Sequence, residues 1–424
     1  MSATLVLIGL LVLLALGVPV GFAMLITGSI GLYALVGFDA LQGVLDSSPL
    51  SVASAFEFLT IPLFLLMAEF VLRSGKVDDL FRTTAAWVGE LRGGLGMATA
   101  LAGAGFGAIC GTSTASAATL SATSLPAMIR QGYHPSFAAG VVAISGTLAL
   151  LIPPSVAMVI FAELSQQSVK SLFLAGVVPG LISAVAIGAV AFFISFRHGY
   201  GKRTEPFSLG VVWRTFVKAG PALGMPAIVL GGIYLGYTTP TEAAALSVVY
   251  GLFVGMCVYR TIGFKDLPGI FLDSARGTGS ILFILSGALF VGMLATLVGI
   301  PQSIVELIAA SDLSPIGFLL LANVMLIALG CFLDGFTLLT VVAPLLLPSV
   351  AALGINPIHF AIVLVLNIEI AAVTPPIGLN LFVITGISGT TMKEVAIGVA
   401  PFVLALVCVL LLLTFTPYLS LLLL

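Results

Sequence analysis

The sequence predicts an all-α polytopic membrane protein built from two inverted repeats. Three observations predict it. Of the 424 residues, 60% are hydrophobic and 8% are charged, against roughly 25% charged in soluble domains. Two stretches coincide when the chain is slid by 222 positions: Pro126, Gly132, Pro135, Pro153 and Pro154 fall on Pro348, Gly354, Pro357, Pro375 and Pro376. The charges around the two copies differ. Arg73, Lys76, Arg82, Arg92 and Arg130 flank the first, whereas 295–314 hold only Glu306 and Asp312, and Arg130 falls on Ala352. Cytoplasmic loops collect Lys and Arg, so one copy opens to the cytoplasm and the other does not. Pro-broken apolar segments at matching places of an inverted repeat point to a secondary transporter.

Spans are expected at 4–17, 20–37, 56–72, 137–163, 171–196, 220–237, 241–259, 278–298, 358–390 and 395–422, against a hydrocarbon core of roughly 30 Å. No Lys or Arg precedes Leu5, and the first apolar run continues past any cleavage point, so it reads as a mature span. Segments 137–163 and 358–390 exceed one crossing, and each holds a Pro-Pro pair that must interrupt its helix. Segments 94–126 and 316–348 have polar or Gly-rich centres. They are too long for one span and short for two, so they read as re-entrant hairpins, tolerated where protein encloses the bend.

The repeats are therefore 1–202 and 223–424, joined by a cytoplasmic connector at 203–222. Under the shift, 171–196 falls on 393–418. Each half holds five spans and one hairpin, and an odd number of spans inverts consecutive copies. With the connector in the cytoplasm, fourteen of the fifteen Lys and Arg residues fall on that side; only Lys170 lies outside. Both termini are then periplasmic in an inner-membrane protein. In 73–92, Leu80, Phe81, Ala85, Val88 and Leu91 repeat at near-helical spacing, as in an in-plane amphipathic helix; an ordinary polar loop is the alternative.

Several classes are excluded. The few, scattered basic residues do not form a nucleic-acid surface. There is no P-loop and no HExxH, and the three histidines show no metal-ligand spacing, so neither ATP-driven pumping nor enzyme chemistry is supported. The four cysteines form no CxxC pair and read as small buried apolar residues.

The first hairpin tip, Gly111-Thr112-Ser113-Thr114-Ala115-Ser116, is Gly or hydroxylated at five of six positions. Free carbonyls and hydroxyls of an unwound helix can ligate a small hard cation such as Na⁺. The following half-helix offers N–H groups to an anion. A small-residue packing seam is the alternative. Ser145-Gly146-Thr147 and Pro153-Pro154-Ser155 lie in the matching broken span. The second tip contains Asp334, Gly335 and Thr337. A carboxylate at membrane depth costs about 2.5–3.5 kcal/mol by insertion scales. Asp334 therefore needs a cation or a proton, unless the tip reaches water. Its broken span offers Asn367, Glu369, Thr374, Pro375, Pro376 and Asn380. Glu242 starts a helix and is read as a dipole partner in its first turn.

The stretches at 111–140, 145–155, PTEAAA (240–245), LDGFT (333–337) and TPPIGLNLFV (374–383) resemble the large membrane subunit of TRAP (tripartite ATP-independent periplasmic) transporters. The resemblance runs from about residue 4 to 422. It implies Na⁺-coupled uptake of a carboxylate-bearing solute, a periplasmic solute-binding protein, a small four-span membrane subunit, and an elevator fold with scaffold and transport domains. By matching motifs, one Na⁺ would lie among Thr112, Ser113, Ser145, Gly146 and Pro153. Another would lie among Asp334, Gly335, Thr337, Asn367, Thr374 and Pro375. Substrate would sit between the tips, near Thr114, Ser116, Ser155, Thr337 and Asn380. A stand-alone ion-coupled carboxylate carrier, needing no binding protein, is the rival; a channel or a membrane enzyme fits the matched breaks less well.

Overall fold

A computed structural model of the chain describes residues 8–10, 12–14, 16–55, 57–76, 78–201 and 208–424, and every regular element among them is helical. The first half comprises α1 (Val20–Val36), α2 (Phe38–Ser54), α3 (Thr60–Arg73), α4 (Asp78–Val88), α5 (Gly94–Cys110), α6 (Ser113–Arg130), α7 (Pro135–Thr147), α8 (Val156–Ser165) and α9 (Val169–His198). The second comprises α10 (Leu209–Tyr234), α11 (Pro240–Val258), α12 (Leu267–Val298), α13 (Ile300–Ala310), α14 (Pro315–Gly330), α15 (Gly335–Ala352), α16 (Pro357–Ala371), α17 (Leu379–Ser388), α18 (Met392–Phe415) and α19 (Tyr418–Leu421). Among the described residues, α9, α10, α11, α12, α15 and α18 are long and apolar enough to cross a membrane.

The repeat recurs in the helices. Shifted by 222, α4 falls on α13 and α6 on α15 at both ends, and the cis bond Pro153–Pro154 falls on the cis bond Pro375–Pro376. Beyond the prolines the register becomes 223. The N-caps of α8 and α17 are Ser155 and Gly378, and those of α9 and α18 are Ser168 and Thr391. One extra residue, Ile377, lies in the second copy, so 171–196 falls on 394–419.

One expected boundary moves, and one helix is added. Residues 4–7, 11 and 15 of the first expected span lie outside the described residues. Helix α10 begins at Leu209, inside the segment taken as connector, while 202–207 are outside the described residues. Helix α2 was not expected at all. Its sequence carries Asp39, Asp46, Pro49 and several serines, and only Leu41 and Val52 are buried in it. In the second half, α12 covers the positions of both the end of α2 and α3 in one rod of 32 residues, about 48 Å at 1.5 Å per residue.

That rod fixes the two short helices. Arg73, at the end of α3, pairs with Asp273 near the start of α12. Helix α4 follows Arg73, and α13 follows the other end of α12, about 38 Å further along at 1.5 Å per residue. The two arms therefore lie at opposite ends of α12. On α4, Leu80 and Phe81 are buried and Ala85 and Val88 half-buried, whereas Leu91 is exposed beyond its end. The chain's two tryptophans, Trp87 of α4 and Trp213 of α10, both stack on Phe216, as aromatic anchors do at a membrane interface.

Helices α1–α3 pack with α10–α12, and α5–α9 pack with α14–α18. Within the second group the halves interlock: α8 packs on α15, and α17 packs on α6. Helices α7 and α18 cross with their backbones touching at Gly140 and Gly398. Of the cysteines, only Cys110 is buried; Cys331 is partly buried, and Cys257 and Cys408 are exposed. Those two, expected to be buried, sit instead on exposed faces of α11 and α18.

A methyl group at Gly398 would overlap the Ser136 carbonyl. Gly398→Ala is expected to lower stability by about 1–3 kcal/mol, read as a lower Tm of the purified membrane complex. Gly231→Ala, in α10 with open space around it, is expected to leave Tm unchanged or slightly raised.

Candidate functional site

Each hairpin bends where its own residues demand it. Helix α5 ends on Gly111 at φ +65°, and a Cβ there would lie 2.9 Å from the Pro154 carbonyl oxygen. The position therefore needs glycine both for its left-handed backbone and for the approach of the proline break. The Val156 N–H donates to the Gly111 carbonyl at 3.3 Å, and the Ile377 N–H donates to the Cys331 carbonyl at 3.2 Å. Each tip is thus tied by backbone to the broken span of its own repeat.

The two tips then meet. A small cleft is lined by Thr112, Ser113 and Thr114 from the first tip and by Leu333, Asp334, Gly335 and Phe336 from the second. Leu150 and Ala157 add one broken span; Ile368, Ala371, Ala372 and Ile377–Leu379 add the other. Five of the residues expected at a site, Thr112, Ser113, Thr114, Asp334 and Gly335, line this cleft.

Their chemistry differs between the tips. Thr112 is extended and makes no side-chain cap, so the first N–H groups of α6 stay available. Asp334 caps α15: Oδ1 accepts from the Phe336 N–H at 2.9 Å and the Thr337 N–H at 3.2 Å, and Oδ2 accepts from the Thr337 hydroxyl. A carboxylate at a helix N-terminus is stabilised by the dipole and by these donors. The helix end is a partner that sequence reasoning did not credit to Asp334. Immediately after this tip, Leu338–Val342 form a π turn. Pro344 has no N–H to give the Thr340 carbonyl and its ring crowds it, which the wider turn relieves.

The other expected residues do not line the cleft. Ser145 and Gly146 lie between the two arms of the first hairpin: a Cβ at Gly103 would meet Ser145, and one at Gly146 would meet Ala117 at 2.8 Å. Ser116 and Ser145 are fully buried, and neither hydroxyl has a protein partner. Ser155 is committed to the fold, donating to the Leu150 carbonyl at 2.6 Å and accepting from the Met158 N–H. Pro153 is buried, Pro375 exposed, and the Thr374 hydroxyl donates to Ile370. Asn367 donates to Asn323 at 2.8 Å, and Asn323 donates to Thr414 at 3.0 Å, a buried polar chain joining α16, α14 and α18. Asn323 and Thr414 were not singled out from sequence. A lone Asn in an apolar 16-residue helix was the available signal. Asn380 donates across the repeats to the Ala143 carbonyl at 3.4 Å, and its Oδ1, like that of Asn367, is buried without a partner. Glu242 completes a capping box with Thr239, as its place at a helix start suggested.

The chain matches the family described as "Tripartite ATP-independent periplasmic transporter, DctM component" over residues 7–419. It is 37% identical to the C4-dicarboxylate TRAP transporter large permease protein DctM of Rhodobacter capsulatus, covering 99% of this chain and 98% of the relative. It is 32% identical to the sialic acid TRAP transporter large permease protein SiaM of Vibrio cholerae, covering 98% and 96%. Among solved structures, the Alcanivorax borkumensis YdaH transporter superposes with a TM-score of 0.63 at 14% identity, covering 89% of this chain and 88% of the other. That last likeness concerns fold alone.

Removing a buried hydroxyl that has no partner costs little, whereas breaking a satisfied buried chain costs about 1–3 kcal/mol. Ser145→Ala is therefore expected to keep the wild-type Tm in Na⁺-free buffer. Asn323→Ala, which removes the bonds joining Asn367 and Thr414 and leaves each only a carbonyl of its own helix, is expected to lower it.

Proposed function

The chain belongs to the tripartite ATP-independent periplasmic transporter family as its large permease, a multi-pass membrane protein that works with a binding protein and a small membrane subunit, and on that premise we propose Na⁺-coupled uptake of a carboxylate-bearing organic solute. The observation that carries this reading is the meeting of two repeat-related tips in one cleft.

The donors there are hard oxygens, which suit Na⁺. Thr112, Ser113, Ser145, Gly146 and Pro153 would supply one ion, with the unpartnered Ser145 hydroxyl as an available acceptor. Asp334, Gly335, Thr337, Asn367, Thr374 and Pro375 would supply the second, with the free Asn367 Oδ1. Of the two helix starts facing the cleft, α15 already holds its own carboxylate and α6 holds none. A substrate carboxylate therefore belongs at the α6 end, against Ser113 and Thr114. Ser116 and Asn380 lie behind that wall, and Thr337 orients Asp334. Among the relatives, those named for C4-dicarboxylate and for sialic acid agree with an anionic solute.

The two packing groups suggest the movement: α5–α9 with α14–α18 would travel as an elevator against α1–α3 with α10–α12, braced by arms α4 and α13. The permease would lie in the inner membrane with both termini periplasmic.

Asn caps a helix about as well as Asp, so Asp334→Asn is expected to fold normally. In vesicles reconstituted with the small subunit and the binding protein, with succinate as probe, it is expected to lose tenfold or more of its Na⁺ stimulation, on the order reported for lost metal-site contacts. Unaltered Na⁺ dependence removes Asp334 from the site. For topology, single cysteines at the exposed Arg82 and Glu306, in a variant lacking Cys257 and Cys408, are expected to label from opposite sides. Labelling from a common side rules out the inversion.

A further inference from the structure

Away from the tips, the arm α13 lies against α15, and a pocket of about 250 Å³ opens between them. One water needs about 10–15 Å³, so the space suits an organic group. Most of the wall is apolar, from Ile308 and Leu313 of the arm to Ala352 and Leu353 at the end of α15. Two polar residues also line it, Asp312 and Ser349. Ser349 is 0% exposed, and its hydroxyl has no partner among the described residues.

Asp312 stands there against two preferences. The Asp312 N–H donates to the Ala309 carbonyl and the Leu313 N–H to the Ile308 carbonyl, each at 3.4 Å, which closes α13 with Asp312 at φ +47°. Such a position suits glycine, and the carbonyl end of a helix disfavours a carboxylate. Asp312 is exposed and joins no ion pair among the described residues. The chain holds no Lys or Arg between Arg276 and Lys393. Under the shift of 222, Asp312 and Ala352 match Glu90 and Arg130. The second copy thus keeps the acid and lacks the base.

We propose that this pocket binds a primary alkylammonium group, carried either by the head group of an ethanolamine lipid or by a free alkylamine. The ammonium N–H groups donate to the Asp312 carboxylate, with the Ser349 hydroxyl as a further acceptor. The attached carbon chain covers the apolar wall, where its burial is favourable. A metal ion fits less well: Ca²⁺ takes about 6–8 oxygen ligands, and one carboxylate and one hydroxyl fall far short. An anion is opposed by Asp312 and by the helix end. Helix α13 follows α12, whereas α15 packs with α8 and α16. An occupant therefore ties the arm to the group that holds the tips. None of this depends on the ion coupling or the solute proposed above.

The purified permease with its small subunit, in amine-free buffer and without solute, tests this. n-Octylammonium is expected to raise Tm saturably; octanol and octanoate are expected not to. Ala352→Cys, in a variant lacking Cys257, Cys331 and Cys408, is expected to react with a thiol reagent about tenfold more slowly at roughly ten times the Kd of n-octylammonium. Asp312→Asn, whose side chain tolerates the left-handed turn, is expected to remove both effects. No rise in Tm, an equal rise with octanol, or protection that persists in Asp312→Asn overturns the proposal. If Asp312→Asn does not assemble, Ala352→Arg serves: it places a guanidinium in the pocket and is expected to leave Tm insensitive to n-octylammonium. An undiminished rise overturns the assignment. Vesicles separate the two sources. Protection in ethanolamine-headgroup lipid without added amine, absent in choline-headgroup lipid, assigns the membrane as donor. Protection only on adding n-octylammonium assigns a soluble amine. Failure of succinate uptake bears on the transport reading and leaves these measurements unaffected.

Discussion

A helix broken inside a bilayer leaves backbone groups that lipid cannot satisfy, and the centre of this protein follows from how its breaks are satisfied. Each unpaired group there costs several kcal/mol. Both breaks solve the problem in the same way. A residue just past each proline pair donates its N–H to a carbonyl of the hairpin tip, Val156 to Gly111 and Ile377 to Cys331. In the second break, Asn380 also donates its N–H back to Ala372. The tips are consequently held at the breaks, and the breaks at the tips. Among the groups left unbonded are the N–H groups opening α6, the hydroxyls of Ser116 and Ser145, and the amide oxygens of Asn367 and Asn380. These are polar groups that the fold itself does not consume.

The two acids near the cleft show why depth alone does not describe a charge. Asp334 stands at a tip and is surrounded by donors from its own helix start. Glu369 stands in mid-helix, where the backbone donors are already spent on the helix, and receives none. The sequence shows both as carboxylates in apolar segments. Only the local backbone distinguishes a carboxylate that receives donors from its own helix start from one that receives none.

Much of the architecture could be read from residues because it is written in prolines, glycines and charges. The Pro-Pro pairs, the Gly111 and Asp334 tips and the arms at 78–88 and 300–310 all reappear at the expected positions. Features carried by packing could not be read. Helix α2 has too polar a face to signal a span, and the single insertion at Ile377 lies within an otherwise matching motif. At the site, the sequence identified which side chains are polar. It did not separate Thr112, Ser113 and Thr114, which line the cleft, from Ser155, whose hydroxyl is used in turning the chain. That division depends on which carbonyl comes within reach, a long-range outcome of helix packing.

The exchange of half-helices between repeats has a consequence for biosynthesis. Helix α8 ends at Ser165, but its seat on α15 includes Ala343–Ala352, roughly 180 residues later. At about 5–20 residues per second, the ribosome delivers that seat some 10–40 seconds after α8 has emerged. During this interval the earlier break resides in the bilayer without its final neighbour. The nascent chain therefore matures late and as a whole, and agents that shield polar backbone in the membrane have that interval in which to act.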